Sequence, residues 1–202
     1  MLAEPENGKC ALESCLNKLY NHRHRGCFAL IGLVLFLLFS MFLLVIDPMF
    51  RAATDPTLID LQLTFNAQRF HDIIVSWSKS VSGSADVYKL ATILLDYIYP
   101  IIYSVMLAFA YAAVRKNDQP NRLDKEMFTL PFIAAIFDYI ENTFHILLLK
   151  DVHNLAQAVA AQHPPSAVAI SATTSVLKFL FFYTGILALL GAVLYRIKKR
   201  FA

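Results

Sequence analysis

Residues 27–46 (CFALIGLVLFLLFSMFLLVI) run for twenty positions without a charge. That is the length of helix needed to cross the hydrocarbon core of a bilayer, and no soluble fold of this size readily hides it. The rest of the chain repeats the theme: residues 87–114, 128–149 and 167–195 are further predicted spans. The second and fourth exceed what the core requires, so they tilt or project beyond it. Only 16% of the 202 residues are charged and 57% are hydrophobic, where soluble domains carry about a quarter charged. The expected fold is all-α: a polytopic membrane protein built as a four-transmembrane-helix bundle, one domain at residues 27–195. It lies between a cytoplasmic tail at 1–26 and a basic tail at 196–202.

Other classes fall away on the same evidence. A net charge of +3, with basic residues at helix ends rather than along one face, argues against nucleic acid as a partner. Cys10, Cys15 and Cys27 all precede residue 28, which leaves no framework for a disulfide-stapled module. The apolar content argues against a disordered tail. The first span is longer than the apolar region of a signal peptide, and no small-x-small site follows it, so it is expected to be retained.

Lysine and arginine asymmetry sets the orientation. Lys9, Lys18, Arg23 and Arg25 precede the first span; Arg115, Lys116, Arg122 and Lys125 lie between the second and third; Arg196, Lys198, Lys199 and Arg200 follow the fourth. The first loop has only Arg51, Arg69 and Lys79 among several acids, and the third begins with Lys150 alone. Both termini are therefore expected in the cytoplasm. Within the first loop Phe70, Ile73, Ile74, Trp77 and Val81 share one helical face, which predicts an amphipathic helix over about 64–81, capped by Thr64 or Asn66. It lies at the outer membrane boundary, sealing the bundle or forming a lid over a pocket. Leu12, Leu16, Leu19 and Tyr20 predict a similar surface helix in the N-terminal tail.

Ionisable groups inside spans are expensive and mark function by default. Three spans carry them at i, i+3, i+4, i+7 spacing: Asp96, Tyr99, Pro100 and Tyr103; Asp138, Glu141, Asn142 and His145; Ser171, Thr174, Ser175 and Lys178. Each set occupies one narrow face of its helix. The first span has none, so the faces are expected to converge inside the bundle. At the helical rise, Asp96, Asp138, Glu141 and Lys178 lie roughly 12 to 17 Å below the outer surface. His145 lies nearer the mouth, toward Lys150 and His153. Three acids meet one lysine, and ionised carboxylates crowded at low dielectric repel one another. The excess acid suits proton exchange, acid/base chemistry or a cationic or hydroxylated ligand. The plain alternative is an interhelical network that glues the spans together. Pro100 would kink its helix and shape the pocket, and Pro131, near a helix start, is ordinary.

Weaker patterns carry less. Ser175-x-x-Lys178 has the spacing of a serine–lysine dyad, but the nearby acids keep the lysine charged. Cys10, Cys15, His22, His24 and Cys27 lack the spacing of a zinc finger. Asp96, Glu141 and His145 lack an E-x-x-H pair, so no metal is assigned. No cofactor is assigned either, and His163-Pro164-Pro165 reads as a turn.

The segments LTFNAQRFHDIIVSW, LLDYIYPIIYSVML and LPFIAAIFDYIENTFHILLL, between about residues 57 and 149, resemble a family of uncharacterised bacterial four-span membrane proteins. Its pattern combines a loop helix, a D-x-x-Y-P-x-x-Y second span and a D-x-x-E-N third span. The resemblance implies a bacterial inner (plasma) membrane. It also implies that Asp96, Pro100, Tyr103, Asp138, Glu141 and Asn142 share a site, and it brings no activity. Lys178 lies outside it.

Three functions compete. The foremost is a membrane protein whose polar pocket, in the outer half of the bundle, binds or moves a lipid, a small polar ligand or a proton; four spans are few for transport without a homo-oligomer. The second is an intramembrane enzyme with Glu141 or Asp138 as acid/base and Lys178 as anion stabiliser. The third is a structural or assembly protein whose polar faces only hold helices together.

Overall fold

The computed structural model describes residues 6–50, 56–80, 84–115, 120–149 and 165–201. These form seven helices: α1 (Glu6–Tyr20), α2 (Arg25–Phe50), α3 (Leu58–Gln62), α4 (Ala67–Ser80), α5 (Ser84–Arg115), α6 (Arg122–Leu149) and α7 (Pro165–Phe201). No strand occurs among the described residues. Trp77 and Val81, at the far end of the predicted loop-helix face, lie outside the residues whose side chains are described, as do Lys150, His153, His163 and Pro164.

Three helices, α2, α5 and α7, are long and apolar enough to cross a membrane, so the chain is a membrane protein. The α6 helix is as long, but Asp138, Glu141, Asn142 and His145 lower its apolar character. Their burial explains the compromise, because α6 is the central helix and packs along both α5 and α7. The α2 helix packs chiefly on α5 and leaves much of its length exposed, including Leu30, Leu38 and Leu44. The bundle is therefore a three-helix core with one helix laid on its flank, rather than four equivalent helices around one axis.

Small residues set the closest approaches. A Cβ at Gly32 would stand 2.9 Å from both Cα and Cβ of Met106, so only glycine lets α2 meet α5 here. At Gly185 the ring of Pro131 is 3.3 Å from where a Cβ would be, which seats α7 against the proline of α6.

The two ends of the bundle differ. At one end Tyr20 of α1 packs edge-on against Phe128, and Tyr111, Ala112 and Ala192 join the same apolar cluster. This end gathers the basic residues. Here α6 begins with a reciprocal cap: Asn121 Oδ1 accepts from the Asp124 amide at 2.8 Å, and Asp124 Oδ2 from the Asn121 amide at 3.3 Å. That pairing satisfies amides the first helical turn would otherwise orphan. At the other end α4 lays Phe70, Ile73 and Ile74 against Leu148 and Val168. Asn66, not Thr64, caps α4, its Oδ1 accepting from the Arg69 amide at 2.9 Å.

The α3 helix was not anticipated. It is a single turn started by a capping box: Thr57 Oγ1 accepts from the Asp60 amide at 3.2 Å, and Asp60 Oδ2 from the Thr57 amide at 2.6 Å. Its Leu61 and Gln62 are buried.

Candidate functional site

The polar faces of α5, α6 and α7 meet in the interior. Lys178 reaches across from α7, its Nζ 2.6 Å from Glu141 Oε2 and 3.6 Å from Asp138 Oδ1. Glu141 is fully buried, and Lys178 is only 6% exposed. Removal of two such charges from water is tolerated only with close pairing, and the short Lys178–Glu141 contact supplies it. Asp138 is held from three sides. Tyr103 donates its hydroxyl to Oδ2 at 3.1 Å, Asn142 donates to Oδ1 at 3.2 Å, and Lys178 approaches the same Oδ1.

Pro100 ties α5 to this cluster through the backbone. Proline has no N–H to offer the carbonyl four residues before it, which is that of Asp96. Asn142 Nδ2 donates to that oxygen at 2.9 Å. At the next residue, the Tyr97 carbonyl accepts from the Tyr139 hydroxyl at 2.9 Å. Asn142 of α6 thus fills the hydrogen-bond gap that the proline opens in α5, and Tyr139 adds a second side-chain tie between the two helices.

The Asp96 carboxylate stands apart. It makes no hydrogen bond or ion pair to the described residues, and with Asp138 and Lys178 it lines a cavity of about 220 Å³. Tyr99, Tyr103, Phe179 and Phe182 form its aromatic walls, and Leu58, Ile59 and Gln62 of α3 cover it. The covering element is thus the unanticipated single turn, whereas the predicted amphipathic helix α4 seals the end of the bundle beside it. Tyr99 is shared with the flanking helix: its ring stacks on Phe36 and Phe39, and its hydroxyl lies 3.5 Å from Ser40 Oγ.

His145 does not sit at an open mouth. It is 1% exposed, beneath Phe70 of α4 with ring centroids 6.2 Å apart. Its Nδ1 is 3.9 Å from Glu141 Oε1, too far for a hydrogen bond, and neither ring nitrogen has a hydrogen-bond partner among the described residues. Asn142 Oδ1 and Ser171 Oγ are likewise buried without one among the described residues. The other hydroxyls of α7 turn inward on their own helix. Ser175 donates to the Ser171 carbonyl at 3.0 Å, and Thr174 lies 2.8 Å from the same oxygen and 3.0 Å from that of Ile170. Lys178 is claimed by two carboxylates and so is not free to act as a base toward Ser175. Among the described residues no group of three or more His, Cys, Asp and Glu side chains is placed to hold a metal ion.

A second buried charge lies at the basic end. Asp124 is 1% exposed and accepts from Arg115 Nε at 2.7 Å and from the Tyr111 hydroxyl at 3.1 Å. Tyr20 is buried close by; burial first, and then the charge of Asp124, pushes its phenol up to about 12. The signal for this cluster was the N-x-x-D cap at the start of α6, which reads as a helix boundary rather than as a site.

No protein family matches the sequence, and neither a curated protein nor a solved structure shows significant similarity to it.

Proposed function

We propose that this chain is a four-span protein of a bacterial inner membrane, with both termini cytoplasmic, that binds an amphiphile with a small cationic or hydroxylated head in the cavity beneath α3. In this reading α6 is the fourth span, its acids tolerated because α5 and α7 enclose them and Lys178 neutralises one. The lysine and arginine of the termini and of the α5–α6 connection support the orientation. The resemblance to bacterial four-span proteins supports the membrane.

One observation carries the function: a cavity with a carboxylate in excess of its cation on the floor and aromatic rings around it. Lys178 matches Glu141, and Asp138 is satisfied by Tyr103 and Asn142, so those three groups are explained by holding helices together. Asp96 is not. An unpaired carboxylate at low dielectric is stabilised by an incoming cation, a hydroxyl donor or a proton, and the rings suit an apolar chain or a cationic head.

Mass spectrometry of the lipids and small molecules retained by the purified protein tests this. The wild type is expected to retain a species with an amine or hydroxyl head that Asp96→Asn loses, with helicity unchanged. Identical retained species in the two proteins would leave the polar faces as helix glue.

A further inference from the structure

At the opposite end of the bundle, α5 and α7 leave a cleft of about 230 Å³ lined by Val114, Arg115, Ala192, Tyr195, Arg196 and Lys199. We infer that this cleft binds a phosphate group, with the headgroup of an anionic membrane lipid as its natural source.

The geometry around the cleft is built rather than incidental. Arg196 Nη1 donates to the carbonyls of Val114 at 2.9 Å and Ala113 at 3.3 Å, which fixes the guanidinium over the last turn of α5. A guanidinium has five N–H donors in a rigid fork, so this anchoring leaves most of them for a ligand. Arg115 is held through Nε by Asp124, and its guanidinium carbon lies 5.5 Å from the centroid of the Tyr195 ring. Lys199 completes the lining and has no acidic partner among the described residues.

The electrostatic balance favours an anion. Asp124 offsets Arg115, and the C-terminal end of α5 contributes about −0.5 elementary charge, against the full positive charges of Arg196 and Lys199. An oriented guanidinium and an ammonium are the groups that recognise phosphate oxygens. The cleft also sits where the apolar faces of α5 and α7 give way to the basic end. That is the level at which a lipid headgroup lies.

The full chain in neutral detergent is titrated with phosphatidylglycerol, with phosphatidylcholine and with inorganic phosphate, following the melting temperature. Phosphatidylglycerol is expected to stabilise more than phosphatidylcholine, whose choline cancels the phosphate charge. Stabilisation by inorganic phosphate as well would identify a site for the phosphate group whatever its source; its absence would assign the headgroup. Lys199→Gln, which leaves the Arg196 anchor and the fold intact, is expected to weaken the response about fivefold, and Arg196→Gln with Lys199→Gln to abolish it. The charge-matched pair Lys198→Gln with Arg200→Gln lies outside the cleft and is expected to retain it. Equal losses in the two double variants would overturn the assignment in favour of general attraction to a basic tail, and equal responses to the two lipids would overturn the preference for an anionic headgroup.

Discussion

Asn142 donates a hydrogen bond to the carbonyl oxygen of Asp96, 2.9 Å away, the oxygen that Pro100 leaves without its helical donor. The same amide nitrogen reaches Asp138 Oδ1 at 3.2 Å, so one side chain joins a backbone gap in α5 to a carboxylate in its own helix. Asn142→Leu is expected to cost about 1–2 kcal/mol by stranding that carbonyl. Pro100→Ala restores an amide to the same oxygen, so Asn142→Leu made on that background is expected to cost less. Melting of the four proteins in a double-mutant cycle measures the coupling; strict additivity would mean that the two residues act independently.

Lys178 faces two acids, and its removal leaves both without a counter-charge. Lys178→Met is expected to destabilise by about 3–5 kcal/mol, the range for breaking a buried pair by deleting one partner. Adding Glu141→Gln is expected to return much of the loss. Asp96→Asn alone, compared after bound species have been stripped from both proteins, is expected to leave stability unchanged or raised, because its carboxylate makes no ion pair with the described residues whose loss would strand a charge. Thermal melts in one detergent read all three, and a large loss in Asp96→Asn would make that carboxylate structural.

Gly32 and Gly191 make opposite predictions. A Cβ at Gly32 collides with the backbone of Met106, whereas nothing lies within 4 Å of one at Gly191. Gly32→Ala is expected to cost about 1–3 kcal/mol through displacement of α2 from α5. Gly191→Ala is expected to be neutral or to gain up to about 1 kcal/mol from helix propensity. Melting temperature checks both, and crosslinking of cysteines placed on α2 and α5 checks that the Gly32 effect arises at that contact.

Tyr20 gives a pH dependence. Its phenol rises from the ordinary 10.0 to about 12 in the folded chain, so the neutral form is favoured by folding. The associated stability is fully present below pH 10 and is lost as pH rises toward about 12. Between those values the melting temperature of the wild type is expected to fall more steeply than that of Tyr20→Phe. Parallel curves for the two proteins would show that burial of this phenol is not linked to folding.

Helical periodicity made much of the site legible. Asp96, Asp138, Glu141 and Lys178 stood at matched depth on one face of each helix, and spacing alone was enough to expect them together. Rotamers were not legible. Ser175 and Thr174 share the face of Lys178, yet their hydroxyls turn back to their own carbonyls, as these residues do in helices. His145 was expected near the mouth because depth was counted from helix ends, and the cover supplied by Phe70 depends on how α4 docks. The α3 turn escaped a search for longer amphipathic periods, since five residues are too short to show one. Its T-x-x-D start was the available signal. The secondary role of α2 was equally hidden, because a uniformly apolar helix looks the same whether it is central or laid on a flank.

The order of residues along the chain bears on how the protein is made. Synthesis runs from α6 to α7, so Asp138 and Glu141 leave the ribosome well before Lys178 does. An α6 handed alone to the lipid would carry two carboxylates with no partner, whereas α2 bears nothing that hinders its entry. In the proposed four-span reading, α6 would be sheltered until α7 emerges and then released with it as a hairpin. On that reading, a chain truncated before Lys178 is expected to insert α6 less completely.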